Sequence, residues 1–287
     1  MHEILQKTLL TPDTCLMRVD APALAAKARA GQFFLLRAYE GGERVPFTFL
    51  DWNAQEGWVE FIFLAVGRTT RELLTFEVGE CLLDMVGPLG NPTQTSRGRW
   101  AVAGGGVGLA AAYPVARAFA EAGAEVTALI GARTHELLIL EDRFRALPGV
   151  SVVVTTDDGS YGEKGFVAAP LERLCAKGLL DGAFAVGPVP MMQACSRVAT
   201  RFDVPVVVSL NPVMLDGTGM CGGCRVIVDN EVRFACIDGV DFDGSLVDWV
   251  DMRSRLRVYA PEERVAAESP HPCHLRTMTV EAEEEAL

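Results

Sequence analysis

From Trp100 to Ser209 the chain alternates short apolar runs with helical stretches, a rhythm that few folds accommodate. Ala101–Ala103 reads as a strand that enters the turn Gly104-Gly-Gly-Val-Gly108, and Leu109 to about Ala122 reads as a helix. Further strands are expected at Glu125–Ile130, Val150–Thr155 and Ala183–Val186, with Val204–Ser209 as the last. The intervening helices are expected at Glu136–Leu147, Phe166–Ala176 and Met191–Thr200. Such alternation implies a parallel, doubly wound α/β sheet. The residues before Trp100 have a different rhythm. Gln32–Arg37 and Trp58–Ala65 read as strands, separated by turn signals such as Gly41-Gly42 and Gly87-Pro88. Many short strands without long helices suggest a small antiparallel β-barrel.

A third unit follows Ser209. Asp216-Gly-Thr-Gly-Met-Cys221-Gly-Gly-Cys224 is a glycine-rich loop, and Cys236 follows after a hydrophobic stretch. Val226–Val228 reads as a strand, Asp229-Asn-Glu231 as a turn, and Val232–Phe234 as a return strand that brings Cys236 beside the first pair. Three thiolates and a carboxylate in this spacing admit an iron–sulfur cluster, with Asp216 in the place of a first cysteine. They also admit a structural zinc ion. A disulfide is the third alternative, although two of the cysteines are only two residues apart.

With 287 residues, two or three domains are expected. No apolar run is long enough to span a membrane, and Met1-His-Glu-Ile lacks the basic region of a secretory leader, so a cytoplasmic protein is expected. Eight cysteines, three of them clustered, suit a reducing compartment. A formal charge of −12 argues against non-specific nucleic-acid binding.

In open α/β sheets ligands bind beyond the carboxyl ends of the strands. Here those ends run into Gly104–Gly108, Gly131-Ala-Arg133-Thr134, Thr155-Thr-Asp157-Asp158-Gly159 and Gly187-Pro188. Gly104, Gly105, Gly106 and Gly108 let a pyrophosphate approach the backbone and the following helix N-terminus. The acidic ribose ligand of the usual dinucleotide fingerprint is missing after the second strand, where Arg133 stands. The same glycines also suit a tight strand–helix turn that holds no ligand. In the barrel, Arg44-Val-Pro46-Phe47-Thr48 offers a pyrophosphate partner and hydroxyl and backbone groups for a ring edge. Gly67-Arg-Thr69-Thr70 offers a second phosphate turn. An ordinary strand with an exposed arginine and an ordinary capped turn fit the same residues.

Taken in order, Arg44–Thr48, Gly67-x-x-Thr70-x-x-Leu73, Gly87-Pro-Leu-Gly90, Gly104–Gly108, Gly187-Pro188 with Met191, and the cysteine-rich appendix resemble the ferredoxin-reductase superfamily. Within it the chain is similar to electron-transfer subunits that carry FAD and a C-terminal 2Fe–2S cluster, over roughly residues 1–260. Two such groups stand close: those of dihydroorotate dehydrogenase, and the small subunits of NADH-dependent reduced ferredoxin:NADP oxidoreductase. Asp216 in place of a first cysteine, and Val186 before Gly187-Pro188, resemble the second. Thr69 stands where such subunits often carry glycine.

The resemblance implies an FAD-binding barrel over 1–98, an NAD(P)-binding domain over 99–209, a 2Fe–2S domain over 210–260 and a tail over 261–287. It implies Asp216, Cys221, Cys224 and Cys236 as cluster ligands. Arg44, Pro46, Phe47, Thr48, Gly67, Thr69, Thr70 and Gly87 would contact FAD. Gly104, Gly105, Gly106, Gly108, Arg133, Asp157, Gly187, Pro188 and Met191 would contact NAD(H). It also implies a larger flavoprotein partner with further iron–sulfur clusters, through which ferredoxin and NADP(H) are served. Cys15, Cys81, Cys175 and Cys195 read as core thiols. Cys273, in His271-Pro-Cys-His274, reads as part of a tail with chance histidines.

Overall fold

The computed structural model describes residues 1–268. Its amino-terminal part is built from two antiparallel sheets. One has five strands in the order Asp51–Asn53, Trp58–Leu64, Thr14–Asp20, His2–Thr11 and Cys81–Leu82. The other has three, Val45–Thr48, Phe33–Arg37 and Asp84–Leu89. Phe34, Phe47, Phe49, Phe61 and Phe63 fill the space between them. Phe34 sits 4.8 Å from Phe49 and 5.4 Å from Phe61 between ring centroids, and Phe47 sits 5.1 Å from Phe61. Offset and edge-on rings at such spacings gain more than their buried area alone provides.

Strand Trp58–Leu64 shows how the next unit attaches. Val59, Phe61 and Phe63 face the barrel interior, while Ile62 joins the core built around helix Leu109–Glu121. Glu60, on that same outer face and only 1% exposed, is held by Arg18 at 2.7 Å and by Arg143 of the neighbouring unit at 2.8 Å. Arg117 of helix Leu109–Glu121 makes a second crossing to Asp51 at 2.7 Å.

Seven strands form the second sheet, in the order Glu163–Lys164, Val150–Thr156, Ala124–Ala132, Gly98–Gly105, Gly182–Val186, Val206–Ser209 and Asp241–Asp243. The first six run parallel. The doubly wound reading holds, with two corrections. Val206–Ser209 is not the last strand, because Asp241–Asp243 returns from the cysteine-rich unit and pairs antiparallel with it. The expected helix Glu136–Leu147 is only a single turn at His135–Leu137 and a short helix at Glu141–Arg145. Leu140 breaks it with φ +64°, and Ile139 is buried in the adjoining core. Apolar spacing there reflects a chain that dips into the core and not a continuous helical face.

Strands Arg225–Val228 and Glu231–Phe234 form the expected hairpin, turned at Asp229 and Asn230, both with positive φ. Past residue 261, where the sequence shows no pattern, the chain continues helix Ala260–Glu268. Cys273 lies outside the described residues. Among the described residues no helix is long and apolar enough to cross a membrane.

Candidate functional site: a cysteine loop, a glycine turn and a shared barrel strand

The carboxyl edge of the parallel sheet is built by close backbone approach. A side chain on Gly108 would meet Gly187 Cα at 2.7 Å, and one on Gly105 would meet Met191 Sδ at 2.5 Å and Pro188 Cδ at 3.3 Å. Glycine is therefore required at Gly108, which abuts backbone, whereas at Gly105 the close neighbour is the flexible end of the Met191 side chain. Gly104–Gly108, Gly187, Pro188 and Met191 form one continuous floor, although they are far apart in the chain. Gly106 faces open space. Beside this floor, Asp157 N–H donates to Ala132 O at 3.1 Å and Asp158 N–H to Arg133 O at 3.3 Å, so exposed Arg133 and Asp157 share one rim.

Thr155, at one of the expected strand ends, has its Oγ1 buried without a hydrogen-bond partner. His135 and Tyr161, which carry no sequence motif, stack with centroids 4.4 Å apart, and only the sheet's tertiary assembly reveals that pair. An orphaned hydroxyl beside a glycine floor suits a nucleotide that brings its own polar groups.

In the barrel, Arg44 immediately precedes strand Val45–Thr48 and pairs with Asp84 at 3.3 Å, so its guanidinium is exposed but engaged. Arg37 extends toward the same carboxylate, and its Nε is buried without a partner. Gly67 precedes helix Arg68–Leu73, and Thr70 Oγ1 accepts from Gly67 N–H at 3.1 Å. Thr69 Oγ1 donates to Glu43 at 2.8 Å, which brings the Arg44 segment and the Gly67 turn together. That bond also occupies the Thr69 hydroxyl. Gly87 packs against Phe34, where a Cβ would meet the Phe34 side chain at 2.9 Å.

The cysteine loop leans on this barrel. Phe33 and Leu35 share one apolar cluster with Met214, Cys224, Ala235, Cys236 and Val240. Gly217 approaches so closely that a side chain there would meet Leu89 at 2.7 Å and Leu35 at 3.1 Å. Strand Phe33–Arg37 also pairs through Phe34 and Leu35 with Phe47 and Pro46. One strand is thus a common wall for the Arg44–Thr48 segment and for the cysteine loop.

Within the loop, Cys224 Sγ and Cys236 Sγ are 3.2 Å apart, well beyond the length of a disulfide bond. Asp216 Oδ1 accepts from Thr218 N–H and Oδ2 from Cys221 N–H, both at 2.9 Å. These backbone donors, Thr218 first and then Cys221, hold the Asp216 carboxyl below the usual aspartate range. Cys221 is exposed, while Cys224 and Cys236 are buried. Burial, followed by the Cys224 sulfur, pushes the Cys236 thiol up to about 12. A buried thiol such as that of Cys236 ionises more readily beside a cationic centre, and the Asp216 carboxylate, with spare lone pairs, stands in the same loop. The chemistry of these side chains suits an iron–sulfur group, although among the described residues no three carboxylates, thiols or imidazoles are grouped as a metal site.

Comparison with known proteins gives the family of the chain and an iron–sulfur assignment for its cysteine loop. The family model "Iron-sulfur cluster binding domain of dihydroorotate dehydrogenase B" matches residues 211–248. A Thermotoga maritima protein described as "Dihydroorotate dehydrogenase B (NAD(+)), electron transfer subunit homolog" is 43% identical over 269 residues, covering 93% of this chain and 95% of that one. The chain belongs to the family of dihydroorotate dehydrogenase B-type electron-transfer subunits. It is an oxidoreductase subunit, and FAD, NAD(P) and a 2Fe–2S cluster are its family's cofactors. The electron transfer subunit from Desulforamulus reducens is 31% identical, covering 86% of this chain and 97% of that one. A chain of the NADH-dependent reduced ferredoxin-NADP oxidoreductase structure is 42% identical with a TM-score of 0.88, covering 93% of this chain and 97% of that one. The resemblance expected from the sequence therefore stands.

Proposed function

We propose that this electron-transfer subunit passes electrons between NAD(H) and a larger flavoprotein partner in flavin-based electron bifurcation, the partner serving NADP(H) and ferredoxin. The reading is carried by the shared strand Phe33–Arg37, which presents the Arg44–Thr48 segment on one side and the Cys224/Cys236 pair on the other. FAD held by the barrel would supply hydride exchange with nicotinamide and single-electron exchange with a 2Fe–2S cluster held by the cysteine loop.

Each region of the chain then has a task. Gly104–Gly108, Gly187, Pro188 and Met191 receive the dinucleotide, with Arg133 and Asp157 at its rim. Arg44, Gly67, Thr69 and Thr70 hold the flavin's phosphates, while Pro46, Phe47, Thr48 and Gly87 form the wall for its ring. Asp216, Cys221, Cys224 and Cys236 hold the cluster. The apolar packing of Phe33, Leu35, Met214 and Val240 keeps water from the path between barrel and loop.

Similarity over nearly the full length of both chains holds equally for the ferredoxin-NADP oxidoreductase chain and for the dihydroorotate dehydrogenase B subunit homolog. What favours the bifurcating partner is Asp216, a hard carboxylate in the place of a first cysteine, a change that shifts a cluster's potential. The Asp216→Cys variant is expected to retain iron and sulfide but to change in midpoint potential and EPR spectrum; an unchanged titration removes Asp216 from the ligand set. The purified chain is expected to reduce an artificial acceptor with NADH and to leave ferredoxin oxidised. Ferredoxin reduction by the isolated chain, or co-purification with a dihydroorotate-oxidising partner, overturns the assignment.

A further inference from the structure

Asp241 sits where the three parts of the molecule meet. It opens the antiparallel strand Asp241–Asp243, paired with buried Ser209 at the end of the parallel sheet. Its Oδ2 accepts from Thr93 Oγ1 at 2.5 Å, and Thr93 belongs to the segment leaving the barrel. The same segment grips the chain beyond Cys236 twice more, through Asn91 N–H to Gly239 O at 2.6 Å and Asn91 Nδ2 to Ile237 O at 3.1 Å. Val240, the preceding residue, packs in the apolar cluster that contains Cys224 and Cys236.

The second carboxylate oxygen, Oδ1, is shut off from solvent and meets no donor. Among the described residues, the hydrogen bond to this carboxylate comes from the neutral hydroxyl of Thr93, and the neutral hydroxyl of Ser209 lies near enough to act on its charge. The nearest carboxylates on the same arm, Asp238 and Asp243, are exposed and accept from Phe234 N–H and from Ser245. A buried charge without a cation or a full set of donors is costly to fold around. Burial raises its protonation range to about 6, against the opposing pull of the Thr93 and Ser209 hydroxyls.

We propose that Asp241 is a proton-linked positioning residue: it fastens the Cys236 arm to the barrel segment through Thr93, and it takes up a proton when the neighbouring cysteine loop receives an electron. The inference rests on the cluster reading above. The electron would come from NADH as the reductant; the proton would come from water and form an O–H bond on the carboxylate. The local charge therefore does not grow, which is what a low-dielectric junction demands.

Potentiometric titration of the cluster followed by EPR, on either side of pH 6, tests the proposal. The wild-type midpoint should fall as pH rises through that region, and the slope should be absent in Asp241→Asn. Thr93→Val keeps the carboxylate but removes a donor that favours its charged form, so the slope should move to higher pH. An equal slope in wild type and Asp241→Asn overturns the coupling. Thermal unfolding gives a readout independent of the cluster. A group whose proton is held more tightly in the fold stabilises it fully at acid pH, and that contribution is lost as pH rises through about 6. Asp241→Asn should therefore melt above the wild type on the alkaline side, the gap closing on the acid side; superimposable profiles overturn the assignment of the proton to Asp241. Absence of iron with this melting pattern intact would refute the cluster reading alone.

Discussion

The glycine floor of the parallel sheet and the cysteine loop both wrap closely around a space, yet they are held by different means. The floor is made of backbone pressed on backbone. Gly108 and Gly187 come from different strand–helix turns, and the clearance between them is fixed by the sheet order. The loop is made of local hydrogen bonds between near neighbours, Asp216 with Thr218 and Cys221, and then rests on the barrel along one side. Its other side is open, with Met220 88% exposed and Leu215 53% exposed. A rigid floor suits a ligand that must come and go in one orientation. An open loop with buried sulfurs suits a resident group that hands charge to a partner.

Crossed measurements can break this contrast. The largest effect is expected from Cys236→Ala, which should abolish iron–sulfur absorbance and iron content while leaving NADH oxidation by artificial acceptors in place. Loss of NADH oxidation along with the iron would mean that loop and floor are one structural unit. Gly108→Val is the reciprocal change. Its side chain would meet Val186 O and Gly187 Cα at 2.8 and 2.7 Å, backbone that cannot step aside. A cost of about 1–3 kcal/mol and at least a tenfold rise in KM for NADH are expected, with iron content unchanged. An unaffected KM would remove the glycine turn from the nucleotide site.

The smallest effect sharpens the comparison at the joint between units. Arg143→Met leaves Glu60 to Arg18 alone, and about 1–3 kcal/mol should be lost from global unfolding. Because the pair lies away from the cysteine loop, the EPR spectrum should not change. A changed spectrum would show that the barrel–sheet joint governs the loop.

Much of the candidate site could be proposed before any fold was known, and the reason is locality. Asp216, Cys221, Cys224 and Cys236 fall within one loop and one hairpin, whose turn at Asp229-Asn230 the composition announces. The alternation after Trp100 likewise marked the parallel strands. The expected helix Glu136–Leu147 failed because its apolar spacing serves burial of Ile139 and not a helical face. Strand Asp241–Asp243 was missed because three residues carry no periodicity. Tyr161 and His135 were missed because single polar residues in loops look alike in a sequence.

The order of residues by itself determined the doubly wound sheet, the barrel ahead of it and the cysteine hairpin, because each depends on periodicity or spacing between neighbours. Only the folded chain decided that Phe33–Arg37 would be a wall common to barrel and hairpin, and that half-buried Asp241 would have one carboxylate oxygen shut off from solvent beside Thr93. Those contacts join residues more than a hundred positions apart, and their energies come from packing and from exclusion of water, neither of which leaves a local mark.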